Sequence, residues 1–164
     1  MRARKLYPKG RGVFFNEFKT FQVWVNEQDH LKIISVALGS NIYERLVNGV
    51  NQLEQVLSFH RSEKLGYLTL CPTNLGTTLR ASVLIKLPNL GRNPRLLAEL
   101  CKRYSLQMRG TLGEHSAVKD TTFDLSNKVR MGLTEYEALK VMCDGVTKVI
   151  KHEMTFQKPQ HFTA

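Results

Sequence analysis

The chain has 164 residues, a length that favours one domain or one domain with a small appendage. Hydrophobic residues make up 42% and charged residues 23%, a globular composition that argues against a disordered chain. The formal net charge of +10 favours an anionic partner: nucleic acid, an acidic membrane or a phosphate-rich ligand. No apolar run approaches the roughly 18–20 residues of a membrane-spanning helix, and the basic N-terminus lacks the apolar core of a secretory signal.

The three cysteines, Cys71, Cys101 and Cys143, are odd in number and far apart. They form no CxxC pair and show no Cys/His spacing suited to zinc. We therefore predict free thiols, a reducing compartment and a cytoplasmic location.

The first half of the chain predicts two strands and a helix. Residues 20–25 alternate in the period-two pattern of a strand, and the apolar run 31–38 predicts a second strand buried on both faces, with a polar turn at 26–30 between them. Asn41 and Glu44 have the spacing of a capping box, which predicts that a helix begins here. The expected apolar side of this helix comprises Ile42, Leu46, Val50, Leu53 and Leu57.

The second half predicts four more strands and two more helices. The strands are predicted at 65–70, 79–87, 105–109 and 122–126. In 79–87, one face is expected to hold Leu79, Ala81, Val83, Ile85 and Leu87. Asn93-Pro94 begins one helix, and a capping box of Thr134 and Glu137 begins another that reaches about residue 153. Its inward positions are expected to be Leu139, Met142, Val146 and Val149.

These elements follow the order β-β-α-β-β-α-β-β-α. Short turns between successive strands favour antiparallel pairing, so we predict an α+β domain with a mainly antiparallel β-sheet and helices packed on one face. We assign residues 1–12 to a basic loop segment, 13–154 to the domain and 155–164 to a flexible tail.

A few polar residues stand where strands end. Arg80 is expected on the non-core face of its strand, and Arg109 ends another strand before a glycine turn. An arginine in such a place presents a fork of donors to phosphate oxygens, although from spacing alone a pair of ordinary surface arginines is the more common case. Cys71 precedes a proline at a strand end and is a candidate for a reactive thiolate, although a buried, inert thiol is the more common case. Glu114 follows the glycine turn and could orient a cationic substrate, or it could be an ordinary solvated glutamate.

Five segments closely resemble the phosphagen (ATP:guanidino) kinases, and their arginine kinase branch most of all. They are VWVNEQDHL (23–31), LGYLTLCPTNLGTTLRASV (65–83), QMRGTLGEH (107–115), FDLSNKVRMGLTEYEAL (123–139) and CDGV (143–146). The resemblance runs from about residue 7 to residue 154 and implies the C-terminal part of the family's catalytic domain. The family's N-terminal domain and the start of its catalytic domain have no counterpart in this sequence.

The resemblance implies reversible transfer of the γ-phosphoryl group of ATP, with Mg²⁺, to the nitrogen of a guanidino substrate such as arginine. It implies that the nucleotide is bound by Arg80, Ala81, Ser82, Val83, Arg109, Gly110, Thr111, Gly113 and Glu114. Glu114 and Cys71 would contact the guanidinium, and Glu27 would support Mg²⁺ through water.

Four positions depart from the family's pattern. Gln28 stands where the family has a second glutamate, the candidate general base, and an amide cannot take up a proton there. Lys32 replaces a phosphate-binding arginine and loses its bidentate fork. Leu84 replaces a histidine that packs on the adenine, and Leu112 replaces a basic residue of the loop.

These departures leave an alternative function, a catalytically impaired nucleotide-binding pseudo-enzyme. A nucleic-acid binder ranks lower, because no recognised motif is present and aromatic residues do not interleave with the basic ones. We expect no membrane partner. The resemblance leaves the guanidino substrate and the oligomeric state open.

Overall fold

The structure is a computed structural model that describes residues 9–39, 41–110 and 120–156. The chain forms two compact units that meet in sequence between Leu75 and Gly76. The strands are β1 (Gly12–Phe15), β2 (Phe21–Val25), β3 (Leu31–Ser35), β4 (Arg61–Ser62), β5 (Gly66–Tyr67), β6 (Ser82–Lys86), β7 (Leu106–Arg109) and β8 (Thr122–Asn127). The helices are α1 (Ile42–Glu54), α2 (Pro94–Arg103) and α3 (Glu135–Thr155), with single 3₁₀ turns at Pro72–Asn74 and Leu90–Arg92.

The first unit contains a three-stranded antiparallel sheet in the order β1-β2-β3 and a short β4-β5 hairpin. Helix α1 packs against β3. Strand β1 was not predicted, because the sequence before residue 13 indicated a loop. Its side chains Phe14 and Phe15 are exposed, so the period-two burial that identifies a strand is absent from this segment.

Two predictions about β3 were wrong. The strand ends at Ser35 rather than at residue 38, and Val36 and Leu38 beyond it are exposed. It is also not buried on both faces, because it is an edge strand of its sheet and its residues are half-buried or exposed. An apolar run by itself does not distinguish a central strand from an edge strand.

The predicted capping box at α1 was also wrong. Asn41 precedes the helix as expected, but its φ of 71° is left-handed and its side chain makes no capping hydrogen bond. A side-chain cap requires an extended backbone at this position, which Asn41 does not adopt. The helix ends at Glu54, so the predicted apolar side loses Leu57, which is exposed.

The second unit confirms the strand predictions of its region closely. Its sheet has the antiparallel order β6-β8-β7, and α2 and α3 pack against its core. The buried apolar residues are Leu87, Leu90, Leu97, Leu100, Cys101, Leu106, Phe123, Leu125, Val146 and Val149. The predicted alternation in β6 holds, since Val83 and Ile85 pack against this core while Leu84 is exposed. The prediction of antiparallel strands with packed helices is confirmed, although the described strands fall into three sheets.

A buried carboxylate ties α3 to the 3₁₀ turn at Leu90–Arg92. The Glu153 side chain is 5% exposed and accepts hydrogen bonds from Asn89 N, Asn89 Nδ2 and Leu90 N, each at 2.8 Å. Each of these donors is therefore satisfied although the Glu153 carboxylate is buried. No helix in the described part of the chain is both long and apolar enough to cross a membrane.

The capping box at the start of α3 is confirmed. The Thr134 hydroxyl accepts a hydrogen bond from Glu137 N at 3.2 Å, and the Glu137 carboxylate accepts one from Thr134 N at 2.7 Å. These bonds, first that from the backbone N–H and then that from the hydroxyl of Thr134, lower the pKa of Glu137. The box therefore stabilises the folded state while Glu137 is ionised.

We expect Thr134→Ala to lower the free energy of unfolding by about 1 kcal/mol near neutral pH. Because the folded pKa of Glu137 lies below its unfolded value, its contribution is complete above the unfolded pKa and is lost as pH falls through the folded pKa. Urea unfolding followed by circular dichroism at several pH values measures both effects. Thr147→Ala, on an exposed position of the same helix, is the control and should cost much less. Equal losses from both substitutions would contradict the capping role.

Candidate functional site

Asp124 lies at the centre of the polar face of the second unit's sheet. Its Oδ2 accepts a hydrogen bond from Arg80 Nη2 at 2.6 Å, and the side chains of Arg80 and Asp124 are 27% and 18% exposed. Arg80 Nη1 also donates to the Ser82 hydroxyl at 3.2 Å. Within the described residues, Arg80 Nε and Asp124 Oδ1 are buried and have no hydrogen-bond partner. Both groups therefore keep capacity for a further polar contact.

Arg109 reaches the same place from the opposite strand. It is the direct antiparallel partner of Asp124 in the β7-β8 register, and directly opposed residues project from the same face of a sheet. Arg109 Nη2 donates to Gln107 Oε1 at 3.2 Å. The sheet thus brings Arg80 and Arg109, which are remote in sequence, to either side of one carboxylate.

Asn127 fixes the backbone that carries Arg80. This side chain is 1% exposed, and it accepts a hydrogen bond from Ala81 N at 2.9 Å and donates to Leu79 O at 3.0 Å. Its amide also donates to Val129 O at 3.0 Å. Because the residues on both sides of Arg80 are hydrogen-bonded to Asn127 of β8, the backbone of Arg80 is held in place beside the sheet.

The rest of the predicted nucleotide-binding stretch runs from Ala81 into β6, which begins at Ser82, two residues after Arg80. Ser82 is exposed, Ala81 is half-buried, and Val83 packs against the core. Gly110 is buried at the end of β7. The predicted site residues Thr111, Gly113 and Glu114, and the departure at Leu112, lie outside the described residues.

Three predicted residues of the first unit, Glu27, Gln28 and Lys32, lie on the turn between β2 and β3 and just after it. Glu27 forms an ion pair with Lys32, with 3.8 Å between Oε2 and Nζ. The Lys32 ammonium also lies over the Trp24 ring at 5.8 Å from its centroid. Gln28 is exposed at the turn. The turn thus presents a partly exposed carboxylate, an amide and a cation close together.

Cys71 begins the loop that precedes Gly76. Its Sγ lies 3.0 Å from the Thr73 hydroxyl, and the side chain is half-buried. All three cysteines are free thiols, as predicted. Burial raises the pKa of Cys101 to about 11, so this thiol stays protonated, whereas Cys143 is exposed.

The sequence alone did not indicate Asp29, Asp124 or Asn127 as site residues. Asp124 and Asn127 belong to the resembling segment 123–139, and the alternation within 122–126, which puts Asp124 opposite Phe123 and Leu125, is the signal that could have found Asp124. Their partners Arg80 and Ala81 lie more than 40 residues away in sequence, at separations of 44 and 46. Pairings of this kind depend on strand order, which the residue pattern does not contain.

A family model described as ATP:guanido phosphotransferase, C-terminal catalytic domain, matches residues 2–156. The chain belongs to this family. Arginine kinase of Plodia interpunctella and arginine kinase 1 of Drosophila melanogaster are each 53% identical to it over 154 residues, which cover 92% of this chain and 43% of each relative. The chain thus spans less than half the length of these curated relatives. The match confirms the family that the motifs indicated and the resemblance to its arginine kinases.

Solved structures of this ATP:guanido phosphotransferase family share the fold. The duplicated taurocyamine kinase of Schistosoma mansoni with bound transition state analog components aligns with a TM-score of 0.87 at 49% identity, over 91% of this chain and 21% of that one. A lombricine kinase crystal structure aligns with a TM-score of 0.82 at 38% identity, over 92% of this chain and 43% of that one. These kinases are named for different guanidino compounds, so the fold alone does not identify the acceptor.

Proposed function

We propose that this chain forms the nucleotide-binding and guanidinium-contacting part of an ATP:guanidino phosphotransferase that acts on arginine or a related guanidino compound. Family membership and the arginine kinase relatives support this function over that of a catalytically impaired nucleotide-binding protein. We propose a cytoplasmic location on the basis of the free thiols, which persist in a reducing compartment.

The observation that carries this proposal is the pair of arginines at Asp124. The guanidinium of Arg80 already holds one oxyanion, the Asp124 carboxylate, at 2.6 Å. Phosphate oxygens have the same acceptor geometry, and a bidentate guanidinium binds them with charge-assisted hydrogen bonds. With Arg109 opposite Asp124 on the same face, two cations can share the charge of one phosphate chain.

The remaining nucleotide contacts are assigned by position. Ala81, Ser82 and Val83 would line the nucleotide beside Arg80, and Gly110, Thr111 and Gly113 would form the phosphate loop after Arg109. Lys32 would supply a further positive charge, although as a point charge rather than a fork.

Mg²⁺, when bound, would neutralise the charge of the ATP phosphates, which would supply most of its ligands. Glu27 fits a supporting role through water, because its carboxylate is 39% exposed and only loosely paired, 3.8 Å from Lys32. Within the described residues, no group of three or more His, Cys, Asp or Glu side chains forms a metal cluster.

The guanidinium of the acceptor would be held by Glu114 and Cys71. In the reaction, a guanidino nitrogen forms a bond to the γ-phosphorus, the bond to the β–γ bridging oxygen breaks, and ADP leaves. The nitrogen also loses a proton, which a carboxylate at position 28 would accept and the Gln28 amide does not. Because transfer of this kind depends mainly on in-line positioning and charge neutralisation, it would still proceed in this chain, but more slowly, with water taking up the proton.

We expect Arg80→Ala to weaken ADP binding about thirtyfold, because a charge-assisted contact to phosphate is lost. Isothermal titration of the purified chain with ADP and Mg²⁺ measures the effect. Arg95→Ala is the matched control, since it removes the same charge from an exposed position on α2 and should leave the affinity nearly unchanged. Equal weakening by the two substitutions would place the phosphate site elsewhere.

A further inference from the structure

Asp29, on the turn between β2 and β3, accepts hydrogen bonds from a loop 41–45 residues further along the chain. Its Oδ1 accepts from Leu70 N at 2.7 Å and, more weakly, from Cys71 N at 3.4 Å. Its Oδ2 accepts from Asn74 Nδ2 at 2.7 Å. The two side chains, Asp29 and Asn74, are half-buried, so these bonds are partly shielded from water.

The loop also has internal hydrogen bonds that shape it around Cys71. The Cys71 carbonyl accepts from Asn74 N at 2.9 Å and from the Thr69 hydroxyl at 2.8 Å. These bonds set the local conformation but do not attach the loop to the β2-β3 turn. The Asp29 carboxylate makes that attachment, and both of its oxygens are needed as acceptors. An asparagine in its place would offer one acceptor and turn two donors toward the loop.

We propose that Asp29 is a positioning residue that holds the Cys71 thiol in a fixed place relative to the turn carrying Glu27 and Gln28. The proposal rests on the proposed function, in which the β2-β3 turn and the loop with Cys71 both face the guanidino group. This shared role is the reason for the two segments to be held in a fixed relative position. Asp29 itself acts through its neighbours and does not touch the substrate. Its carboxylate orders the guanidinium-contacting residues before the substrate arrives, which lowers the cost of ordering them on binding.

The Asp29–Asn74 contact can be broken and rebuilt by exchanging the two side chains. Asp29→Asn places one amide against another, and Asn74→Asp places one carboxylate against another. In the double variant, the amide at position 29 can donate to the carboxylate at position 74 while its carbonyl still accepts from Leu70 N. The double-mutant cycle therefore separates this contact from general effects of either substitution.

The measurement is the alkylation rate of Cys71 by iodoacetamide in the full chain, with Cys143→Ser removing the exposed thiol. Cys101 is buried, and its raised pKa of about 11 keeps it slow to react, so Cys71 is the reporter. We expect each single variant to change the alkylation rate by about tenfold, which is the scale of one lost charge-assisted hydrogen bond. The double variant should return to within about twofold of the parent. Hydrogen exchange of the Leu70 and Cys71 amides, which donate to Asp29, should be faster in Asp29→Asn than in the parent.

Unchanged alkylation in the single variants, or no recovery in the double variant, would overturn the proposal. Asn74→Asp carries the test where Asp29→Asn does not fold, because it disturbs the same contact and leaves the backbone bonds of Asp29 in place. ADP binding is measured on the same samples. A parent chain that does not bind ADP would count against the proposed function, whereas the alkylation rates of the four variants would still test the role of Asp29.

Discussion

Gln28→Glu is expected to raise turnover about a hundredfold, the scale of a general base, when the chain works with the parts that its longer relatives possess. The background for this experiment is a chimera in which this chain replaces the matching region of the Plodia interpunctella arginine kinase, which is 53% identical to it. The gain should appear in kcat with ATP and arginine, because the substitution adds a group that acts in the chemical step.

The physical reason is the chemistry of the side chain at this turn. A guanidinium is a poor nucleophile until it loses a proton, and the Gln28 amide neither accepts that proton nor neutralises the positive charge. A carboxylate of the same shape does both. Gln28 is exposed beside the Glu27–Lys32 ion pair, so glutamate can replace it without burying a charge.

Gln52→Glu provides the matched control for the Gln28 substitution. It makes the same chemical change at an exposed position of α1, and it should leave kcat within about twofold, as is usual for surface changes. A Gln28→Glu chimera with no more activity than its parent would show that position 28 does not take up the proton. High activity in the unmodified chimera would show that a different group is the base.

The two units differ in how far their structures follow from the sequence. In the second unit, β6, β8 and α3 have strong periodicity, and the capping box at Thr134 marks the helix start, so these elements were predicted within a few residues. In the first unit the described apolar residues are half-buried or exposed, and α1 contains no buried residue, so the apolar pattern of the sequence does not correspond to a buried core there. The missed strand β1 and the wrong cap at Asn41 both belong to this unit.

The candidate site shows the same limit in a different form. The motifs identified Arg80 and Arg109 as phosphate-binding candidates, but they did not identify Asp124 as the group between them. Asp124 lies between the two arginines because β8, the last of the three strands in sequence, is the central strand of the sheet. Asp29 was missed for a similar reason, since its partners lie in a loop that follows three further strands, β3, β4 and β5. Polar pairs between distant segments depend on which strands and loops become neighbours. The residue pattern of one segment predicts only the secondary structure of that segment.

Among the described glycines of the second unit, Gly76 leaves the least room for a Cβ, and Gly76→Ala is expected to lower the free energy of unfolding by about 3–4 kcal/mol. Its φ of +100° disfavours any side chain, and an added Cβ would overlap the Arg130 carbonyl and lie 2.6 Å from Met131 Cα. Thr77 N donates a hydrogen bond to the same Arg130 carbonyl at 2.8 Å. The backbone at Gly76 therefore cannot move away from Arg130 without losing this bond.

Gly132→Ala separates the two causes of this loss. Gly132 also has a positive φ, +78°, but no atom of the described residues lies within 4 Å of an added Cβ, so it should cost only the backbone strain of about 1 kcal/mol. Urea unfolding followed by circular dichroism measures both variants, and the difference between them is the cost of forcing Gly76 away from Arg130. Because this approach leads directly into the segment that carries Arg80, Gly76→Ala should also weaken ADP binding under conditions where the chain is still folded. Equal destabilisation by the two substitutions would mean that the Gly76–Arg130 approach is not maintained in solution.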